Sequence, residues 1–442
     1  MISLRIKEYW SSIRQLIIWI ALVLPVGMLS GSASAFFLWS LEQMTHLRWQ
    51  YGWLLFFLPL AGVAIAWIYG RFGKSAEGGN NLVIDSIHEP GAGVPARMAP
   101  LVLLTTLMSH LFGGSVGREG TAIQMGGSLA SLYARACKMG PARTQMLLMA
   151  GVAAGFGSVF GTPLAGAIFA MEVLVIGKIK YDALIPVLVA SLVGDLTCSL
   201  WGIHHTLYHI SFAESASLHP GIDLLLLGKV VLAAIAFGIV GQWFSELVHF
   251  FQGLLQKITE NAMLRAAIGG AIVIALVYLF GTRDYLGLGV HSQFPDGVSL
   301  TSSFREGGAH TWSWALKLLF TTITLAAGFK GGEVTPLFFI GAALGNTLAL
   351  LMGAPVDLFA GLGFIAVFSG ATNTPLACTI MGIELFGSHF GLYFAVACFV
   401  AYYCSGHSSI YSSQRIGVSK NGDAVPAGIS IKQARARRKP KK

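Results

Sequence analysis

Glu119 is placed where an acid is costly and therefore informative. It lies between Gly117 and Gly120, after Arg118, at the start of an apolar helical stretch. A helix N-terminus compensates such a charge with unpaired N–H groups and about half an electron of positive charge, and the same amides would hold a competing anion equally well. An acid embedded in apolar sequence is by default a functional residue. The plainer alternative is an acidic helix cap paired with Arg118.

Other patterns carry less chemistry. Gly113, Gly114, Ser115, Val116 and Gly117 spell G-x-S-x-G, but a nucleophile elbow needs a preceding strand and a His and an acid in reach. The cluster has no Lys followed by Ser or Thr, so it is not a phosphate-binding loop. His204, His205 and His209, and the pair His88 and Glu89, read as loop residues, because no HExxH or Cys partner supports a zinc site. Cys137, Cys198, Cys378, Cys398 and Cys404 show no CxxC pairing and read as small core residues. No enzyme chemistry, metal or cofactor is expected.

The elements that must hold Glu119 follow from composition. Of 442 residues, 55% are hydrophobic and 11% are charged, with a mean hydropathy of +0.68. Soluble proteins carry about 25% charged residues, so soluble, disordered and disulfide-scaffold classes are excluded. Apolar segments occur near 15–41, 53–69, 99–112, 144–176, 183–202, 222–248, 264–280 and 312–328, then almost continuously to Gln414. Strands are not expected, since transmembrane barrels alternate polar and apolar residues. The expected class is an all-α polytopic membrane protein.

The net charge of +9 is mostly a tail: Lys432, Arg435, Arg437, Arg438, Lys439, Lys441 and Lys442 supply seven positive charges, leaving +2. This is a positive-inside signal with attraction to anionic lipid, and nucleic acid is not an expected partner. Arg5, Lys7 and Arg14 precede the first apolar run, which reads as a first transmembrane helix in preference to a cleaved leader. Both termini are expected in the cytoplasm, with an even number of crossings.

The 54 glycines cluster at 113–120, 151–161, 328–332 and 361–370, where broken helices are expected. Such breaks survive in a membrane only against protein or a water-filled cavity, and they point to substrate sites when they recur in two halves. They do recur. The stretch from Gly151 to Val173 aligns without a gap with that from Gly363 to Leu385, sharing TPLA and a Glu, Glu172 or Glu384, ten residues after the Thr. SVGREGT at 115–121 is echoed by FKGGEVTP at 329–336, and the polar stretch 204–221 is the natural boundary. Similarity alone leaves open whether the repeats are parallel or inverted.

GREG at 117–120, GGEVTP at 331–336, both TPLA blocks and Tyr411 resemble the CLC family of chloride channels and anion/proton antiporters. The resemblance spans about residues 75–415. It implies a CLC-like inverted repeat of broken and tilted helices, assembled as a homodimer with one anion pathway per subunit. On it, Glu119 matches the gating glutamate and Tyr411 the anion-coordinating tyrosine. The chain also departs from chloride-handling members. Their GSGIP, with its anion-binding serine, is replaced by Gly79, Asn80, Asn81, Leu82 and Val83; GREGP becomes GREGT at Thr121; GxFxP becomes Gly332 to Pro336; and their inner proton-transfer glutamate falls on Val173, beside Glu172. Together these changes resemble the fluoride/proton antiporter branch.

Fluoride is small and strongly hydrated, so a dry site needs dense donors to replace its water. Asn80, Thr335, Tyr411 and the N–H groups of Val334 and Thr335 could supply them, and Glu333 could carry protons in place of the missing inner acid. Glu172 and Glu384 are weaker proton candidates that could instead cap helices, and Glu333 could simply pair with Lys330. The expected function is fluoride export in exchange for protons; the alternative is a chloride/proton antiporter or chloride channel of the same fold. The expected halves are residues 1–210 and 211–415, followed by a basic cytoplasmic tail at 416–442 with no nucleotide regulation. The expected location is the bacterial inner membrane.

Overall fold

Without water, each backbone N–H in a bilayer must pair inside its own segment, so apolar runs become helices. The computed structural model describes residues 2–438 apart from 90, 92, 213–222, 421, 423–425 and 427. The expected boundary between halves falls partly outside the described residues, as do Lys439, Lys441 and Lys442. Among the described residues the first half holds α1 (Ile2–Gln50), α2 (Leu58–Phe72), α3 (Gly79–His88), α4 (Met98–Leu111), α5 (Glu119–Ala136), α6 (Pro141–Phe160), α7 (Pro163–Glu172) and α8 (Leu184–Leu200). The second holds α9 (Leu224–Ile258), α10 (Ala262–Phe280), α11 (Ser313–Ala326), α12 (Val334–Met352), α13 (Val356–Thr372), α14 (Pro375–Phe386) and α15 (Gly391–Cys404), with a terminal α16 (Ile431–Arg438). Six helical stretches are long and apolar enough to cross a membrane, whereas α4, α7, α11, α13 and α14 are shorter apolar pieces. The chain is an all-α polytopic membrane protein of broken helices.

The aligned repeat is visible in the backbone. Gly161 (φ +69°) ends α6 and Asn373 (φ +60°) ends α13, both in the left-handed conformation that glycine and asparagine tolerate at a helix end. Thr162 (φ −128°, ψ 71°) and Thr374 (φ −125°, ψ 64°) then turn the chain into a proline-led helix. Glu172, at the C-terminal end of α7, accepts the Leu376 and Ala377 amides at the N-terminus of α14 (3.1 and 2.8 Å). Glu384, near the end of α14, accepts those of Leu164 and Ala165 at the start of α7 (2.9 and 2.8 Å). Each acid reaches the opposite end of the other helix, so α7 and α14 are antiparallel and the repeat is inverted.

Two glycine clusters differ from expectation. Residues 151–160 and 361–370 lie within continuous helices, α6 and α13. Their glycines serve close packing: a Cβ on Gly151 would stand 2.4 Å from the Gly126 carbonyl of α5, and one on Gly363 2.0 Å from the Gly341 carbonyl of α12. Backbones this close leave no room for side chains. The chain also contains a short parallel pair, β1 (Val175–Ile176) with β2 (Arg415–Ile416), which joins the end of α7 to the segment after Tyr411.

Candidate anion site

The clusters at 113–118 and 328–333 do break the helices, and they lie against each other. Gly117 N–H donates to Gly332 O (2.5 Å) and Gly332 N–H to Gly117 O (2.7 Å), an antiparallel bridge between the two halves. A Cβ on Gly332 would stand 2.7 Å from the Gly120 nitrogen, so the approach requires glycine. The bridge sets the N-terminus of α5, at Glu119, beside that of α12, at Val334, and the first N–H groups of both helices lack intrahelical partners.

Glu119 fills this junction and is 0% exposed. Its Oε2 accepts the amides of Thr335 (3.0 Å) and Arg118 (3.2 Å), its Oε1 accepts the Thr335 hydroxyl, and Arg118 Nε lies 3.4 Å from Oε1. The pairing with Arg118 is therefore present, but amide and hydroxyl donors also come from the other half of the molecule. A carboxylate held by a helix N-terminal amide and a threonine hydroxyl occupies donors that would suit a small anion.

Around the junction, Asn80 Oδ1, Glu333 Oε2 and Tyr411 Oη are buried without a hydrogen-bond partner. Asn80 packs against the start of α5, where a Cβ on Gly120 would meet its Nδ2 at 2.8 Å. Tyr411 is 1% exposed and lies within electrostatic reach of both Glu333 and Glu119. Buried polar atoms are normally paired, so three unpaired ones in the segments around Glu119 stand out. Lys330 does not pair with Glu333; its ammonium stands 4.2 Å from the Tyr69 ring centroid. Glu333 is instead the residue just before α12, and Val334 is fully buried behind it.

Several supporting residues carry no sequence signal. The Tyr411 loop is tied to α3 by Ser413, whose N–H donates to Asn81 Oδ1 and whose hydroxyl donates to Asp85 Oδ2, both at 2.9 Å. Phe156 stacks on Phe169 (4.5 Å) and Phe338 on Phe364 (3.9 Å), an apolar wall beside the site. Thr121 turns away and bonds Thr106 (2.8 Å). Ser115 bonds Thr321 (2.9 Å), so the G-x-S-x-G serine lacks the partners of a nucleophile. His204 and His205 line a cavity of about 470 Å³ at the far end of α1 with Arg48, His291 and Arg118, the residue next to Glu119. No cluster able to hold a metal occurs among the described residues.

An inverted repeat of broken helices with two facing helix N-termini defines a class, the membrane anion transporters and channels. The chain belongs within it to the voltage-gated chloride channel (CLC) family, whose model matches residues 61–406. It is 44% identical over 419 residues to a chloride/fluoride channel protein of Pseudomonas syringae pv. tomato, covering 93% of this chain and 90% of that one. It superposes on the crystal structure of a CLC-type fluoride/proton antiporter with a TM-score of 0.84 and 33% identity, covering 91% of this chain and 98% of the other. A slow cyanobacterial Cl⁻/H⁺ antiporter shares the fold at a TM-score of 0.73 and 19% identity, over 88% and 94% of the two chains.

Proposed function

We propose that this protein exports fluoride in exchange for protons, with Glu119 as the gate. The observation that supports this reading is the seat of the Glu119 carboxylate on the amide and hydroxyl of Thr335. Two negative groups cannot share one desolvated position. A fluoride ion takes the Thr335 donors only after Glu119 is protonated and swings away, and the gate recharges only when the anion leaves. Proton and anion movement are then coupled in opposite directions.

Asn80 and Tyr411 complete the anion path together with the Val334 and Thr335 amides. Glu333 carries the proton between the gate and solution, since Val173 cannot, and its unpaired Oε2 leaves it free to do so. The functional unit is a homodimer of two such pathways in the bacterial inner membrane, both termini facing the cytoplasm, with repeat halves at 1–210 and 211–415. The test is flux from liposomes holding the purified protein, read with a fluoride electrode under an imposed pH gradient. Uphill fluoride movement driven by protons is the expected result; equal transport of chloride would remove the fluoride assignment.

A further inference from the structure

The basic end of the chain does not hang free. Ile431 N–H donates to Gln414 O and Lys432 N–H to Ser412 O, both at 3.0 Å, and Ile431 is fully buried. One turn on, Arg435 Nη2 donates to the hydroxyls of Ser408 (3.0 Å) and Ser245 (3.1 Å). Ser245 donates to Ser409 O (2.7 Å), and Ser409 Oγ accepts the Tyr411 N–H (3.0 Å). A short chain of hydrogen bonds thus runs from Arg435 to the backbone of the tyrosine in the proposed anion path.

Arg435 also lines a groove of about 840 Å³ between α9 and the end of α15. Its floor is apolar, with Ile235 and Ile239, and its rim carries Arg435, His249 and His407. Depth follows from α9: apart from Lys229 in its second turn, whose ammonium donates to Gly353 O (2.9 Å), Leu224 to Gly241 is uncharged, and at 1.5 Å per residue it spans about 27 Å, close to the hydrocarbon thickness of a bilayer. Gln242, Glu246 and His249 follow on one helical face and stand at headgroup level. Glu246 accepts from Gln242 Nε2 (2.8 Å) and faces Arg435 electrostatically, so the acid on the rim is partly offset. His407 Nε2 accepts the Lys420 N–H (3.1 Å), so the permanent cation of the rim is Arg435. An apolar floor at acyl-chain depth beneath that guanidinium matches a phospholipid, whereas a free anion would have no use for the floor.

We propose that this groove binds an anionic phospholipid, with an acyl chain on Ile235 and Ile239 and the headgroup phosphate on Arg435, and that the bound lipid steadies the Tyr411 loop. Guanidinium has five N–H donors, of which the serines use those of Nη2. The remainder can bind the headgroup without releasing the loop.

The test is native mass spectrometry of the full chain exchanged into mixed phosphatidylglycerol and phosphatidylethanolamine. The wild type should retain phosphatidylglycerol preferentially, and Arg435→Gln should lower that retention about fivefold, the factor typical of one cation at a membrane surface. Ile235→Trp, which fills the floor and leaves every charge, should lower it too, whereas Lys257→Gln, outside the groove, should not. Equal retention of the two lipids, equal effects of Arg435→Gln and Lys257→Gln, or displacement by millimolar inorganic phosphate would each overturn the proposal. Retention requires no transport, so its failure is separable from failure of the fluoride reading. On that reading, flux should rise with the phosphatidylglycerol fraction in wild type and not in Arg435→Gln; a rise of the same size in the variant would overturn the coupling to Tyr411.

Discussion

Glu172 and Glu384 cap each other's helices: each carboxylate binds the first free amides of the helix that carries the other. The exchange gives both acids a structural task and explains why they recur at the same position of the repeat. On the proposed reading, it leaves the proton path to other groups.

Hydrogen bonds to a charged acceptor contribute about 1.5–3 kcal/mol each, less where water competes. Glu172 is buried, and Leu164 beside Glu384 is 46% exposed. Glu172→Ala should therefore lower the unfolding temperature in detergent more than Glu384→Ala does. The number of protons moved per fluoride should stay unchanged in both; a changed ratio in liposomes would restore them as proton carriers.

Glu119→Gln keeps the size of the gate and removes its charge. Proton pumping driven by a fluoride gradient should disappear while the protein remains folded by gel filtration. Intact pumping would sink the gate assignment.

Thr335→Val removes the hydroxyl that binds Glu119 and leaves the backbone amide in place. Fluoride flux should fall by about one order of magnitude, the equivalent of one charged hydrogen bond, and Thr335→Ser should recover most of it. A valine variant as fast as wild type would show that the amide alone holds the anion.

Glu333→Gln separates proton relay from helix capping. A relay predicts slow or uncoupled transport from a folded protein. A helix-end charge contributes about 1 kcal/mol at most, so near-normal coupled export with a slightly lower melting temperature would leave only that role.

Gly363→Ala places a Cβ 2.0 Å from the Gly341 carbonyl and should abolish recovery of monodisperse protein. Gly253→Ala on α9 meets nothing within 4 Å and should be stabilising by about 0.5–1 kcal/mol. Size-exclusion profiles of the two variants check the contrast.

Much of this architecture was legible because bilayer helices announce themselves as apolar runs, and α1, α2, α4 and α8 to α11 fall on such runs. The extent of α5 was harder to see: Gly126, Gly127, Ser128 and Ser131 dilute its hydropathy, since its first three turns are buried against protein. Glu119 and Glu333 stood out because charge and glycine together are expensive in apolar sequence, whereas Thr335 was reached only through the family resemblance. The ties from Ser413 to Asn81 and Asp85 gave no such sign. Serines and asparagines are common, and their pairing depends on how distant segments meet. The roles of the glycines at 151–160 and 361–370 were hidden for a related reason: a glycine that breaks a helix and one that admits a neighbouring backbone look alike in a sequence.

The bridge between Gly117 and Gly332 ties the gate's own helix to the helix that supplies its donors. Any rigid shift of one half would have to break that bridge or carry both helices together. On the proposed reading, opening then falls to the Glu119 side chain rather than to rocking of domains, and the molecule would work as a valve whose moving part is a few atoms. Such a device needs little rearrangement per cycle, so cooling or stiffening the bilayer should slow it far less than a transporter that must rock its halves.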